Sequence, residues 1–206
     1  MIPVTLQPEP EDFDANVRQR GHAWLRARGI ALDAETPEAF KLPHYWSRSN
    51  KQLWKAYSGV CAYLAIFFEW STGAASTDHF IAKSQNAGAA YEWSNYRLSC
   101  LGPNRDKNRF DDVLDPIGLA PDIAPNRCAS GHSRSSPDAW PSRHRGAFNF
   151  ASGKIAPNPK LGSAQRNAAL KTICRLKLDS PDNRNMRARH YDEYLKGNWS
   201  LSFLQR

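Results

Sequence analysis

The chain lacks any apolar run long enough to span a bilayer. Its most apolar stretch, Val60 to Phe68, is closed by Glu69, well short of the roughly 20 residues a spanning helix needs. The first residues, MIPVTLQPEPEDFD, are acidic and carry no basic region followed by an apolar stretch, so no secretory leader is expected. Only four cysteines occur in 206 residues, too few and too scattered for a disulfide framework. A reducing cytosol is therefore the simplest compartment. No internal repeat and no heptad pattern is present. What remains is a polar chain of mean hydropathy −0.65, with seven Trp, seven Tyr and nine Phe to build a core. Its length fits one domain.

Charge is unevenly distributed. Residues 1–40 hold seven acidic and four basic side chains, while the rest holds 13 acidic and 24 basic, so a body of net +11 follows a segment of net −3. A basic body favours a polyanionic partner, nucleic acid being the common one. The plain alternative is a basic, solvated surface without a ligand.

Local patterns divide the chain. Asp12 to Arg28 reads as a helix closed by Gly29, and residues 31–45 as a connection broken by Pro37 and Pro43. Ser49 is placed to cap a short helix through Tyr57. Val60 to Trp70 is core, as a buried strand or a buried helix. Thr77 to Ala82 and Asn95 to Ser99 read as short strands, and Asn104 to Val113 as a polar helix. Residues 120–147, rich in Pro, Ser and Arg, have loop composition. Arg134, Arg143 and Arg145 with His132 and His144 make that loop basic, suited to track a polyanion or to sit as ordinary surface. Phe148 to Ile155 reads as a hairpin around Ser152-Gly153. Helices follow at Gln165 to Leu178 and at Asn185 to Lys196.

The chemistry concentrates between Ser76 and Asn108. Asp78-His79 opens the segment, Asn95 lies within Trp93-Ser94-Asn95-Tyr96-Arg97-Leu98, and Asn104-Arg105-Asp106-Lys107 closes it. Phosphodiester hydrolysis needs a base for the attacking water, and His is best poised near neutral pH. It also needs neutralisation of the phosphate and the leaving oxygen. A hard cation such as Mg²⁺ takes oxygen ligands, which an Asp carboxylate and an Asn carbonyl supply. Adjacent residues on a strand face opposite ways, so Asp78 can hold a metal while His79 addresses water.

These motifs resemble the HNH (ββα-metal) endonucleases. Those proteins carry an Asp-His or His-His pair on a first strand, a middle Asn, and an Asn or His at the helix start, often followed by a Lys three residues on. A looser likeness to one bacterial subfamily, some of whose members belong to phage-defence systems, runs from Tyr57-Ser58-Gly59-Val60-Cys61-Ala62-Tyr63-Leu64 to Val113-Leu114-Asp115-Pro116. The resemblance implies an α+β fold: a small ββα-metal core at about 76–113, wrapped by an N-terminal helical extension over 1–60 and a C-terminal extension over 114–206, all one domain. It implies that His79 is the general base, that Asp78 and Asn104 hold Mg²⁺ or Mn²⁺, and that Asn95 supports the loop. Lys83, Arg97, Arg105 and Lys107 flank the motif as candidate phosphate contacts. DNA is favoured over RNA as substrate. A defence-system protein partner, such as an ATPase, joins the expectations, and a membrane does not.

Each assignment has a plainer rival. His79 alone would read as a satisfied polar residue at a strand end. Asn104 could be a helix cap, and Asn108, one turn on, competes for the metal position. Tyr91 and Trp93 read as core rather than as stacking platforms. Many HNH proteins carry two Cys-x-x-Cys knuckles that bind structural zinc. Here Cys61-Ala62-Tyr63-Leu64 and Cys100-Leu101-Gly102-Pro103 each keep one Cys. Two thiols cannot fill a tetrahedral site, so no structural zinc is expected, and packing around Tyr63 and Leu64 replaces it. A non-catalytic nucleic-acid binder and a partner-activated nuclease subunit are the rival classes. A structural protein unrelated to nucleic acid is more distant.

Overall fold

The computed structural model describes residues 4–119, 148–149 and 152–197. Helix and short antiparallel strands mix in an α+β architecture. The N-terminal helix starts with a π-helical turn, Asp14–Arg18, and continues as α1, Gln19–Arg26. It ends at Gly29, whose φ of +67° suits a residue without a Cβ. A 3₁₀ turn, Tyr45–Ser49, leads into α2, Asn50–Ala56. Ser49 does not cap α2: its hydroxyl donates to the Trp46 carbonyl at 2.8 Å.

Val60 to Glu69 forms neither a strand nor a helix, and a 3₁₀ turn, Trp70–Thr72, follows it. One bridge joins Val60 to Phe67. Inside it the chain folds back tightly, with Cys61 N–H donating to Ile66 O and Ala65 N–H to Cys61 O, both at 2.9 Å. Cys61, Ala62, Tyr63, Leu64 and Ile66 are buried there. Apolar composition places such a run in the core but does not choose its backbone conformation.

The centre of the molecule is a strand–loop–strand–helix unit. β1, Ala75–His79, pairs antiparallel with β2, Tyr96–Cys100, in a register that sets Asp78 opposite Arg97 and His79 opposite Tyr96. Helix α3, Leu101–Lys107, follows β2 without a connecting loop. It begins three residues before the expected Asn104, because Pro103 falls in its first turn, where the missing N–H removes no hydrogen bond. Asn104 therefore lies within the helix, and its capping role is withdrawn. The helix stops at Asn108, at φ +49°.

Two apolar clusters flank this unit. One gathers Phe13, Val17, Leu25, Trp46, Leu53, Tyr91 and Trp93 around Tyr96 and Leu98 of β2. The other gathers Tyr63, Ile66, Val113, Ile155, Ile173 and Leu178, with Phe80 and Cys100 against it. The second is supplied by α4, Ser163–Arg175, and by a small hairpin of β3, Phe148–Asn149, with β4, Lys154–Ile155. Helix α5, Pro181–Leu195, closes over the hairpin, its Arg187 donating to Gly153 O at 2.8 Å and Leu178 O at 2.7 Å. Helical and strand patterns here match the sequence expectations to within a few residues. The basic loop at 120–147 lies outside the described residues. Among the described residues no helix is long and apolar enough to cross a membrane.

Gly21 shows how tightly α1 meets the loop between β1 and β2. A Cβ at this position would lie 2.1 Å from Cγ of Tyr91, whose ring is wholly buried. Glycine within a helix ordinarily costs about 0.5–1 kcal/mol relative to alanine, so the notch outweighs helix propensity here. Gly21→Ala is expected to destabilise the protein by about 1–3 kcal/mol, the scale of core overpacking, measured by urea denaturation. A stabilised variant would show that Tyr91 does not occupy the notch.

Candidate active site

β1 is a polar strand that ends in the interior. Thr77, Asp78 and His79 are 8%, 1% and 5% exposed. Buried polar groups require partners, and each of these has one. The Thr77 hydroxyl donates to Asn50 Oδ1 of α2 at 2.6 Å. Alternation along the strand sends Asp78 and His79 to opposite faces, and their surroundings differ accordingly.

Asp78 enters a charged pocket. One carboxylate oxygen accepts the Tyr63 hydroxyl, and the other lies 3.3 Å from Nζ of Lys107. Lys107 is itself wholly buried. Its ammonium also donates to the carbonyls of His79 and Phe80, each at 2.9 Å. Burial pushes the Asp78 carboxyl above its ordinary range, against the opposing pull of Lys107 and Tyr63.

His79 enters the aromatic cluster. Its ring meets Trp46 edge-on, with centroids 4.7 Å apart, and Tyr96 at 5.1 Å. Nε2 lies 3.1 Å from Ala90 O. A carbonyl only accepts, so the ring proton sits on Nε2 and the lone pair of the neutral imidazole is on Nδ1. Burial, reinforced by the charge of nearby Lys83, holds the imidazole well below its usual pKa. It is therefore neutral, a proton acceptor, at physiological pH.

Asn95 holds the loop that supplies Ala90. Its Oδ1 accepts Ile81 N–H at 2.7 Å, while its Nδ2 donates to Ala89 O at 2.8 Å and Ile81 O at 3.1 Å. The side chain thus clamps the start and the end of the 80–95 connection and touches no reacting position, which makes it a positioning residue. Asn104 reaches β1 from α3. Its amide nitrogen donates to the Ser76 hydroxyl and, at 3.4 Å, to Thr77 O. Among the described residues its Oδ1 accepts no hydrogen bond. Ser76 and Asp78 share a strand face by parity, so Asn104 and Asp78 address the same side of β1. Asn108 lies exposed at the helix end.

The flanking cations separate. Arg105 is exposed, its side chain at 79%. Lys83 is half-buried, its ammonium 4.6 Å from the centroid of Trp46. Lys107 and Arg97 are corrected from phosphate contacts to internal cations. Arg97 is 4% exposed. It grips Asp115 through Nε at 2.7 Å and Nη2 at 2.6 Å, and its Nη1 serves Ser94 O and Tyr96 O. No phosphate reaches a guanidinium or ammonium so enclosed.

Oxygen donors suit a hard divalent cation, and Asp78 with the unpartnered Oδ1 of Asn104 provides that type. The fit is incomplete in this conformation. Asp78 is almost wholly buried and both its oxygens are engaged, so a cation reaches it only as Lys107 yields. Residues that local motif reading missed are Tyr63, Trp46 and Asp115. Tyr63 and Asp115 lie in the two segments that carry the looser subfamily likeness, which was the available signal. Trp46 has no motif around it. A scan against protein-family models finds no match, and a search of curated proteins finds none similar to this chain.

Removing one partner of a buried ion pair strands the other. Lys107→Met is expected to lower unfolding free energy by roughly 3–5 kcal/mol. Combining it with Asp78→Asn should recover part of that loss, as a double-mutant cycle by chemical denaturation would record. Additive losses would mean that the two charges do not interact.

Proposed function

We propose that the protein is a metal-dependent endonuclease of the HNH type, hydrolysing phosphodiester bonds with DNA as the substrate class. One observation carries this reading: His79 is held at the end of β1 with Nε2–H bound to Ala90 O, which leaves Nδ1 as the basic atom. That is the tautomer a general base at this position needs, with the Nδ1 lone pair left to accept a proton. The loop that fixes it is clamped by Asn95, and α3 presents Asn104 to the face of β1 that carries Asp78. The net charge of the body supports a polyanionic substrate.

In this reading the Nδ1 of His79 takes the proton of the attacking water. Ala90 O keeps the ring from rotating, and Asn95 keeps Ala90 in place. Asp78 and Asn104 would hold Mg²⁺ or Mn²⁺, which when bound neutralises the scissile phosphate and the leaving oxygen. Arg105, exposed on α3, is the flanking cation free to meet a phosphate, a sequence-independent contact.

A second reading has support of its own. Trp46 covers the His79 ring, and Lys107 occupies the carboxylate of Asp78, so the chain alone is closed. A partner protein, such as a defence-system ATPase, would then switch it on.

The test is plasmid nicking by the purified chain with Mg²⁺, Mn²⁺ or EDTA. We expect metal-dependent nicking, reduced about 10²–10⁴-fold in His79→Ala, the range for loss of a general base. Asn95→Ala should lower the rate as well as stability, because the base loses its support. Nicking that survives His79→Ala would falsify the mechanism. Salt-sensitive DNA binding without cutting, in every metal, would favour the partner-activated subunit.

A further inference from the structure

Cys61 and Cys100 are 39 positions apart in sequence and in contact in the fold. Cys61 is wholly buried at the start of the tight turn over 61–66, and Cys100 is the last residue of β2, partly open to solvent. Neither is in a disulfide. Several donors converge on the sulfur of Cys61, the backbone of Tyr63 among them. The backbone N–H groups of Leu64 and Cys100 each lie 3.4 Å from it, and the Cys100 thiol is hydrogen-bonded to it as well. Burial opposes ionisation of Cys61, but these donors outweigh it and pull the thiol below its ordinary value. Cys100 is pushed the other way by that same bond and by burial, so the two sulfurs share one proton across their contact. Leu64 and Pro103 occupy the positions where further thiolates would complete a tetrahedral metal site. Two facing sulfurs remain, one of them buried in a cradle of N–H donors.

We propose that Cys61 and Cys100 form a dithiol modification site, which a hydroperoxide closes to an intramolecular disulfide. The partly exposed Cys100 meets the oxidant. The proton shared between the two sulfurs first moves to Cys61, which leaves Cys100 as the thiolate, the nucleophilic form. That thiolate attacks one peroxide oxygen, the O–O bond breaks, and the departing hydroxide takes a solvent proton to become water. The Cys61 thiol then attacks the Cys100 sulfur. The S–S bond forms, the S–O bond breaks, and the hydroxide leaves with the Cys61 proton as a second water. Two sulfurs are oxidised and one peroxide is reduced. The bond joins the turn that carries Tyr63 to the start of α3. It thereby ties down both elements that supply the partners of Asp78, and it does so whether or not the site hydrolyses phosphodiesters.

The experiment treats the reduced full chain with hydrogen peroxide, caps the remaining thiols with N-ethylmaleimide in denaturant, and maps non-reduced peptides by mass spectrometry. A Cys128→Ser/Cys174→Ser variant, which leaves the pair untouched, is run in parallel. We expect a Cys61–Cys100 cross-linked peptide in both proteins, lost on addition of dithiothreitol. We also expect a higher melting temperature for the oxidised variant, since the bond closes a long loop of the unfolded chain. Recovery of both Cys61 and Cys100 as capped thiols would overturn the proposal. So would cross-links confined to Cys128 or Cys174, or Cys100 carried to the sulfinic acid with Cys61 still free.

Discussion

The ion pair between Asp78 and Lys107 is the constraint around which the centre of the molecule is arranged. Withdrawing a carboxylate and an ammonium from water costs several kcal/mol per ion even after relaxation. Mutual attraction offsets this only when the remaining lone pairs and protons are also satisfied. The fold meets that condition with three elements. The turn over 61–66 brings the Tyr63 hydroxyl to the carboxylate, β1 turns the carbonyl of His79 to the ammonium with Phe80 beside it, and α3 supplies Lys107. Displacing any one of them leaves a buried charge exposed to a low dielectric. The pair therefore specifies how the turn, the hairpin and the helix sit together, although hydrophobic side chains of equal volume could stabilise the same contact as well.

That arrangement explains what could be read from the chain and what could not. Asp78-His79, Asn95 and Asn104 are short-range signals, each tied to a strand end, a loop or a helix that local pattern identifies. Their spacing was enough to bring them to one hairpin and its following helix. Arg97 and Lys107 failed for a different reason. Lys and Arg are almost never fully buried unless paired, so an unassigned cation is placed on the surface by default. The partners that draw these two inward, Asp115 and Asp78, are distant in sequence and carry no local mark. Val60 to Trp70 failed similarly: its burial was plain from composition, while its back-folded turn depends on Ala65 adopting a φ of +56°, which favours glycine and gives an alanine no signature. The start of α3 was misplaced because Pro103 reads as a breaker, yet proline is compatible with a first helical turn.

Two chemically opposite surroundings face each other across one strand. Period-two alternation sends Asp78 toward Lys107, Tyr63 and α3, and sends the next residue, His79, toward Trp46, Tyr96 and the Ala90 carbonyl. Burial acts on both, but with contrary results. It works against the charge on each side, so the carboxyl is raised and the imidazole is lowered. Only the carboxyl has a counter-charge at hand, which opposes the shift. The imidazole has cations nearby, Lys83 foremost, which deepen it. One strand thus sets two neighbouring titratable groups in opposite electrostatic surroundings, the carboxyl beside a cation and the imidazole repelled by cations.

A strand built this way is a poor choice if stability is the only demand. Thr77, Asp78 and His79 each need a dedicated partner, drawn respectively from α2, from Lys107 and Tyr63, and from the loop clamped by Asn95. An apolar strand would need none. Local sequence that contradicts its buried location is expected where function rather than folding sets the residue. The closed state is also understandable on the proposed reading. Lys107 supplies positive charge to the Asp78 carboxylate, so the fold carries no unpaired buried anion there. The same ammonium then competes with the metal for that carboxylate, and the strength of the competition is set by the two carbonyls that hold Lys107 in place. On that reading folding and metal affinity would be opposed at one residue, Lys107.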